Sequence, residues 1–250
     1  MSVSRLASEK SGETPNEAMK ANITRELMYA FLSRAFKVEV DERFLETMAT
    51  IEPTIKLLSE SYGDKELDEG NRLLHEFIEH VKGLKGQDRK ALLTDLAVEY
   101  ASLFLGVGTN PVHLVESVYL GKDHILFEEP YHQVLEAYRS LGFEKEKGFT
   151  EPDDHVAVEF EFMANLCRWT TKTLEKGDLG NAVAYLNLQK EFLTDHMMRW
   201  VPDLCHKLKS GATSDLYKAA AYLTNGFIAL DNEMPDHLTT ILKNPVSAKK

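Results

Sequence analysis

The stretch EPDDHVAVEFEFMANL, residues 151–166, decides the fold that this sequence predicts. Apolar side chains recur in it at intervals of three and four residues, and the pattern continues one turn further. Such spacing places them on one face of an α-helix, where they can pack against a core. The predicted core stripe consists of Val156, Phe160, Met163 and Cys167.

The start of this helix is crowded with ionisable groups. Pro152 suits a first helical turn, so we expect the helix over about residues 152–176. Asp153 and Asp154 would then complement the positive end of the helix dipole. This is a structural interpretation of both carboxylates, and it leaves a binding role open.

His155 and Glu159 are four residues apart, so they share a helix face beside the apolar stripe. They can form an ion pair with no further role. They can equally form a polar binding site for a partner at the edge of an apolar groove. The sequence alone leaves both interpretations open.

Helical periodicity extends over most of the remaining chain. It predicts an all-α, single-domain helical bundle of roughly ten helices over residues 16–231. Residues 1–15 are expected to be a loose N-terminal tail, and residues 232–250 a polar C-terminal tail. Pro53 is expected to break or restart the second helix. The expected later helices run over about 129–141, 152–176, 179–207 and 213–231.

The helical pattern stops at GVGTNPVHLVESVYLGKD, residues 106–123, which contains three glycines and a proline. Its SVYL run looks extended but is too isolated to build a sheet. A connection of this length inside a compact domain is uncommon and is often functional.

The composition limits the classes of partner. The chain has 250 residues, 43% of them hydrophobic, which is enough for a sizeable core. It carries 29 Lys and Arg against 40 Asp and Glu, a net charge of −11. That charge argues against a nucleic-acid partner and favours a cationic one, because long-range attraction follows the sign of the net charge.

Cysteine usage and hydropathy indicate the compartment. Cys167 and Cys205 have no spacing typical of a disulfide framework, so both are expected to be free thiols in a reducing environment. The N-terminus has no apolar region of a secretory signal. No apolar run reaches the ~20 residues needed to span a bilayer. We therefore expect a cytoplasmic protein without stable membrane insertion.

A metal-dependent helical-bundle enzyme is the alternative that the His and carboxylate residues raise. Glu129 with His132 and Asp203 with His206 each have helical i, i+3 spacing. Di-iron bundles need two Glu-x-x-His pairs and two further glutamates. Here Pro130 interrupts the first pair and the second begins with Asp, so no metal site is predicted. No nucleophile motif or phosphate loop is present either, which argues against an enzyme.

Three segments together resemble a known family. They are EYASLFLGVGTNPVHLVESVYL (99–120), EPDDHVAVEFEFMANL (151–166) and FLTDHMMRWVPDL (192–204). In this order they resemble the TorD/DmsD family of cytoplasmic chaperones for redox enzymes, which is grouped with the NarJ-type maturation factors. With the helical pattern, the resemblance covers about residues 20–230.

The resemblance implies a system-specific chaperone and not an enzyme. Members of the family bind the twin-arginine signal peptide, and sometimes the apo-form, of a molybdenum-containing oxidoreductase subunit. They hold this precursor in the cytoplasm until its cofactor is inserted and export can follow. Some are linked to weak guanine-nucleotide binding, but no residue here indicates it and no other cofactor is expected. A plain helical interaction scaffold, docking through residues 106–123, stays an alternative.

The resemblance also implies where the peptide binds. Carried over residue by residue, the signal-binding region falls on Tyr100, Leu103, Phe104, Glu116, Ser117, Tyr119, Leu120, Pro152, Asp154 and His155. The charge pattern adds Asp153 and Glu159 as carboxylates for the arginines. Core packing is the other interpretation of the aromatic residues, and Trp200 is expected to be structural. We expect a monomer or a domain-swapped homo-oligomer.

Overall fold

The computed structural model describes residues 14–244, and all regular structure in that range is helical. The first seven helices are α1 (Pro15–Lys37), α2 (Glu42–Tyr62), α3 (Lys65–Gly83), α4 (Gly86–Phe104), α5 (Glu116–Leu120), α6 (Glu129–Ser140) and α7 (Val156–Glu175). They are followed by α8 (Leu179–Phe192), a π-helical turn (Leu193–Met197), α9 (Met198–Gly211), α10 (Asp215–Asp231) and α11 (Met234–Lys243). The predicted all-α bundle is confirmed.

Helix α7 forms the centre of the bundle. It packs along α1 on one side and against α8 on another, while α3 packs along α10. Every member of the predicted stripe is buried, namely Val156, Phe160, Met163 and Cys167. The stripe predicted from the spacing is therefore confirmed as core.

Two glycines let α3 and α10 approach closely. A Cβ atom on Gly70 would lie 2.8 Å from the backbone nitrogen of Leu223, and one on Gly226 would lie 2.9 Å from the backbone nitrogen of Leu67. Real Cβ contacts do not come this close, so these helical positions require glycine despite its cost to helix stability.

A buried ionic network joins α1, α8 and α10. Arg25 donates to both carboxylate oxygens of Asp231, over 2.5 and 2.8 Å, and also to Gln189. The Tyr29 hydroxyl donates to the same carboxylate over 2.6 Å. Because each charge is paired, the network can be buried without an uncompensated ion.

Several predicted boundaries were wrong. Residues 234–243 form α11, which buries Met234, Leu238 and Leu242, so the polar tail does not begin at residue 232. Pro53 lies inside an unbroken α2, whose Ile51 and Ile55 are held in the core on either side. Residues 1–13 and 245–250 of the predicted tails lie outside the described residues.

The helix predicted over about residues 179–207 contains a π-helical turn between α8 and α9. A π turn has wider hydrogen-bonding rings and often occurs at functional sites. Here it brings Leu193, His196 and Met197 into the interior.

Candidate functional site

The segment after α4 runs against the start of α7. The backbone N–H of Glu116 donates to the Asp154 carbonyl over 2.9 Å, and that of Val156 donates to the Leu114 carbonyl over 2.8 Å. Two of the three segments recognised in the sequence are therefore joined through their backbones.

Helix α7 begins four residues later than predicted because of this contact. His155 pairs with Val115 in an isolated antiparallel bridge, so its backbone is extended. Its Nδ1 accepts a hydrogen bond from the backbone N–H of Ala157 over 3.1 Å and caps the helix. Pro152 therefore precedes the helix, where it cannot serve as the first helical residue.

His155 is neutral in this position. Burial, assisted by the charges of Lys145 and Lys37, lowers the pKa of its imidazole from 6.5 to about 3. A neutral ring keeps the lone pair on Nδ1 that the cap requires. The spacing allowed an ion pair between His155 and Glu159. Within residues 14–244, no such pair forms.

Three carboxyl groups lie together in the interior, and we call Glu116, Asp154 and Glu159 the carboxyl cluster. All three residues are fully buried. Nδ1 of His196 lies 3.1 Å from Glu116 Oε1, and Trp200 Nε1 donates to Glu159 Oε2 over 3.3 Å.

Two members of the cluster, Glu159 and Asp154, have a raised pKa. The pKa of Glu159 lies well above its ordinary value, first because of burial and then because of the charge of Glu116 and a hydrogen bond to it. The pKa of Asp154 is also raised by burial, although a backbone hydrogen bond from Ser117 opposes this. Neutralising a buried carboxyl group avoids the desolvation of a charge.

This burial corrects one expectation. Glu116, Asp154 and Glu159 were expected to offer charge at an exposed edge, but none of them reaches solvent. The helical spacing identified the face of α7 correctly. It could not show that the segment before α5 and the π turn would cover that face.

Beside the cluster lies a groove of about 690 Å³, which we call the large groove. It is lined by Lys37, Val38, Glu39, Val40, Asp41, Tyr100, Phe104, Leu105, His113, Leu114, Val115, Leu126, Gly148, Phe149, Thr150, Glu151, Pro152 and His155. Its volume is typical of binding pockets. Four of the predicted site residues line it, namely Tyr100, Phe104, Pro152 and His155.

The apolar side of the large groove is open to solvent. Val38, Leu105 and Leu126 line it and are all exposed. The ring of Phe104 packs edge-on against Tyr100, with the ring centroids 5.0 Å apart. Exposed apolar side chains that line one groove are typical of an interaction site.

The large groove also carries three exposed acids. Asp41 caps α2 and pairs with Arg34 over 3.1 Å. The carboxylates of Glu39 and Glu151 have no hydrogen bond or ion pair within residues 14–244. Burial raises the pKa of Tyr100 to about 12, with contributions from the charges of Glu151 and Glu39. These two carboxylates therefore act on the same part of the groove.

The positive charge in the large groove is already compensated. Lys37 Nζ donates to Glu146 over 2.7 Å and to Glu161 over 3.1 Å. Glu39 and Glu151 are thus free to meet a cation from outside.

Other predicted site residues lie away from the large groove. Leu103 is in the core, and Ser117 is fully buried. Tyr119 packs against Trp200, and Asp153 pairs with Lys145 over 3.5 Å. Leu120 is half-buried beside the core at the end of α5, which is the helical form of the run expected to be extended.

Glu39, Glu151 and Leu126 are groove residues that the sequence interpretation missed. The two acids belong to no motif, and only the fold brings them together. Leu126 had a signal in the run Ile125, Leu126 and Phe127, because three consecutive large apolar residues in a loop are unusual. They are 59%, 46% and 55% exposed.

The loop that presents this run has a defined conformation. His124 and Phe127 have φ values of 56° and 64°, which side chains other than glycine rarely adopt. The Glu128 carboxylate accepts hydrogen bonds from the backbone N–H groups of Asp123, over 3.0 Å, and Ile125, over 3.3 Å. The loop therefore holds its apolar side chains outward at the edge of the groove.

The structure also bears on the metal site, the two cysteines and the membrane spans considered in the sequence analysis. Among residues 14–244, no group of three or more His, Cys, Asp or Glu residues is arranged to hold a metal ion. Cys167 and Cys205 are free, and burial raises the pKa of both thiols. No helix in the described range is both long enough and apolar enough to cross a membrane.

Comparison with known proteins shows the family to which the chain is similar. The model of the nitrate reductase delta subunit family matches residues 63–206. A chaperone protein TorD from Vibrio cholerae (El Tor Inaba N16961) is 27% identical over 217 residues, covering 87% of this chain and 94% of the relative. Another from Shewanella piezotolerans is 26% identical over 230 residues, covering 89% and 96%. No solved structure matches the chain.

Proposed function

Because the chain belongs to the nitrate reductase delta subunit family of redox-enzyme maturation chaperones, we propose that it binds a twin-arginine signal peptide in its large groove. The peptide belongs to the precursor of a molybdenum-containing oxidoreductase subunit. The protein holds this precursor in the cytoplasm until its cofactor is inserted. The observation that carries the proposal is the pair of free carboxylates, Glu39 and Glu151, beside an open apolar wall.

The chemistry of the large groove matches the two parts of such a peptide. A twin-arginine signal offers two adjacent guanidinium groups followed by an apolar stretch. Guanidinium groups form forked, charge-assisted hydrogen bonds with carboxylates, which an ammonium group cannot reproduce. Glu39 and Glu151 take the arginines, and Val38, Leu105 and Leu126 contact the apolar residues. The net charge of −11 assists the encounter.

The carboxyl cluster has an indirect role in this proposal. Glu116 and Asp154 are joined through their backbones, and His155 follows Asp154 directly into the groove wall. The cluster therefore fixes the position of Pro152 and His155 and does not contact the peptide itself. A fixed wall lowers the cost of ordering the site on binding.

A second depression suits the peptide less well. It lies between α1 and α2, encloses about 620 Å³ and is lined by Leu27 and Phe31 among others. Its ionisable residues are Arg34, Arg43 and Glu46. Two arginines against one glutamate disfavour a cationic ligand, so charge complementarity selects the large groove.

The names of the relatives support the proposal. Both proteins quoted above are named chaperone protein TorD, and each aligns over most of its length. Titration calorimetry of the purified protein with twin-arginine signal peptides from the same genome tests the function. We expect one peptide to bind with a Kd of about 1 μM or tighter. The same peptide with both arginines replaced by lysine should bind more weakly, because the forked guanidinium–carboxylate hydrogen bonds are lost.

Failure of every peptide to bind would contradict the proposal. Co-purification of an oxidoreductase subunit that lacks its signal would, in that case, favour the interaction scaffold.

A further inference from the structure

Four unpaired polar atoms lie in the interior at the carboxyl cluster. They are Ser117 Oγ, Tyr138 Oη, Asp154 Oδ1 and Glu159 Oε1, and none of them has a hydrogen-bond partner within residues 14–244. Each of the four residues is at most 1% exposed. Buried polar groups are almost always hydrogen-bonded, so four such atoms in one place indicate a ligand.

Tyr138 on α6 is the unpaired residue that belongs to none of the three segments recognised in the sequence. Its ring packs against Phe162, with the ring centroids 4.7 Å apart, so the position of the hydroxyl is fixed. Burial, and then the charges of Glu159, Glu116 and Asp154, raise the pKa of this hydroxyl. The hydroxyl is therefore close to all three carboxyl groups of the cluster.

Ser117 on α5 brings a second hydroxyl to the cluster. Its backbone N–H donates to Asp154 Oδ2 over 2.8 Å. Burial raises the pKa of Asp154, and the nearby Ser117 hydroxyl opposes this rise. Ser117 Oγ and Asp154 Oδ1 thus lie side by side, and both are unpaired.

Contacts among the acids account for only part of the cluster. Glu159 keeps its proton and hydrogen-bonds Glu116, which gives nothing to the hydroxyls of Tyr138 and Ser117. A metal ion does not fit, since no group of three or more His, Cys, Asp or Glu residues in the described range is arranged to hold one. Water donates two hydrogen bonds and accepts two, so it matches a mixed set of hydroxyl and carboxyl oxygens.

We propose that the carboxyl cluster contains a buried water site, in which one or more water molecules join the hydroxyls of Tyr138 and Ser117 to the carboxyl oxygens of Asp154 and Glu159. Buried waters typically make about three hydrogen bonds, and these atoms supply that number. The water site ties α5 and α6 to the start of α7, where His155 enters the wall of the large groove. It goes beyond the proposed function, because it is present whether or not a peptide binds.

A high-resolution crystal structure of the whole protein tests the water site directly. We expect electron density for water within hydrogen-bond distance of Tyr138 Oη and of Asp154 Oδ1 or Glu159 Oε1. Side chains that pair these atoms directly, with no water density between them, would overturn the proposal.

Tyr138→Phe adds a test in solution, because a bound hydroxyl and an unpaired one predict opposite signs. If the hydroxyl binds water, its removal costs a hydrogen bond, and the equilibrium constant for unfolding should rise about fivefold or more. If the hydroxyl is unpaired, its removal relieves a buried polar group, and the same constant should fall. Urea unfolding measures this constant.

Tyr185→Phe is the matched control. It removes a hydroxyl from a half-buried ring on α8 and should leave the unfolding constant unchanged. An unfolding constant for Tyr138→Phe that is equal to or below that of wild type would overturn the water site.

Discussion

His196 Nδ1 lies 3.1 Å from Glu116 Oε1 in the interior of the bundle. This contact joins the third segment recognised in the sequence to the first. The third segment is joined to the second segment by Trp200, whose Nε1 donates to Glu159 Oε2 over 3.3 Å. The three segments therefore converge on the carboxyl cluster, which supports the wall of the large groove from beneath.

The raised pKa of Glu159 predicts a specific pH dependence. Above its ordinary pKa of 4.5, Glu159 loses its proton in the unfolded chain but keeps it in the folded chain, so its contribution to wild-type stability falls as pH rises. Glu159→Gln removes this titration. The free energy of unfolding of this variant, relative to that of wild type, should rise by up to ~1.4 kcal/mol per pH unit as the pH increases above about 5. Urea unfolding measures this, and a constant difference would contradict the raised pKa.

The lowered pKa of His155 predicts that stability changes with pH in the opposite direction at lower pH. Its folded pKa is about 3 against an ordinary 6.5, so below pH 6.5 the unfolded chain binds a proton that the folded chain does not. Stability is therefore lost as pH falls through this range. His155→Asn keeps a side-chain cap and should weaken the acid sensitivity. His155→Ala should cost a further ~1 kcal/mol, because the cap is lost. Equal stability of the two variants would exclude the capping role.

Trp200 should prove structural. Its side chain is fully buried and donates to Glu159, so Trp200→Phe leaves a cavity and removes the indole donor. We expect the free energy of unfolding to fall by about 2–4 kcal/mol. Trp169→Phe, at a partly exposed position, is the matched control and should cost about 1 kcal/mol or less. Denaturant unfolding followed by far-UV circular dichroism compares the two.

Gly70 should tolerate no side chain. A Cβ atom there would lie 2.8 Å from the Leu223 backbone nitrogen, so Gly70→Ala must push α3 away from α10. We expect a loss of about 2 kcal/mol or more. Gly83 is in the same helix and its Cβ position is open, so Gly83→Ala should be neutral or stabilising by up to ~1 kcal/mol. Similar thermal midpoints for the two variants would argue against the close approach.

The sequence predicted those features of the fold that depend on local periodicity. The stripe from Val156 to Cys167 and the bounds of α6 follow from spacing and from Pro130, and both are found. The first turn of α7 was misplaced because His155 pairs with Val115, a distant residue whose contact no local pattern encodes. Helix α11 did have a signal, since Met234, Leu238 and Leu242 repeat every four residues.

The candidate site was predicted less completely than the fold. Tyr100, Phe104, Pro152 and His155, which the resemblance assigns to the signal-binding region, line the large groove. Glu116, Asp154 and Glu159 were expected at an exposed edge but are buried, because helical spacing cannot distinguish an exposed edge from one covered by another segment. Glu39 and Glu151 belong to a short connection and a loop, and only tertiary packing places both beside Tyr100.

The most direct test of the account is calorimetric titration of a twin-arginine signal peptide into the Glu39→Gln, Glu151→Gln double variant. The control is Glu144→Gln with Asp203→Asn, which removes the same charge elsewhere. We predict that the groove variant binds on the order of tenfold more weakly, a loss of about 1.4 kcal/mol or more, and that the control binds like wild type. Wild-type affinity in the groove variant would contradict the assignment of the arginines to Glu39 and Glu151.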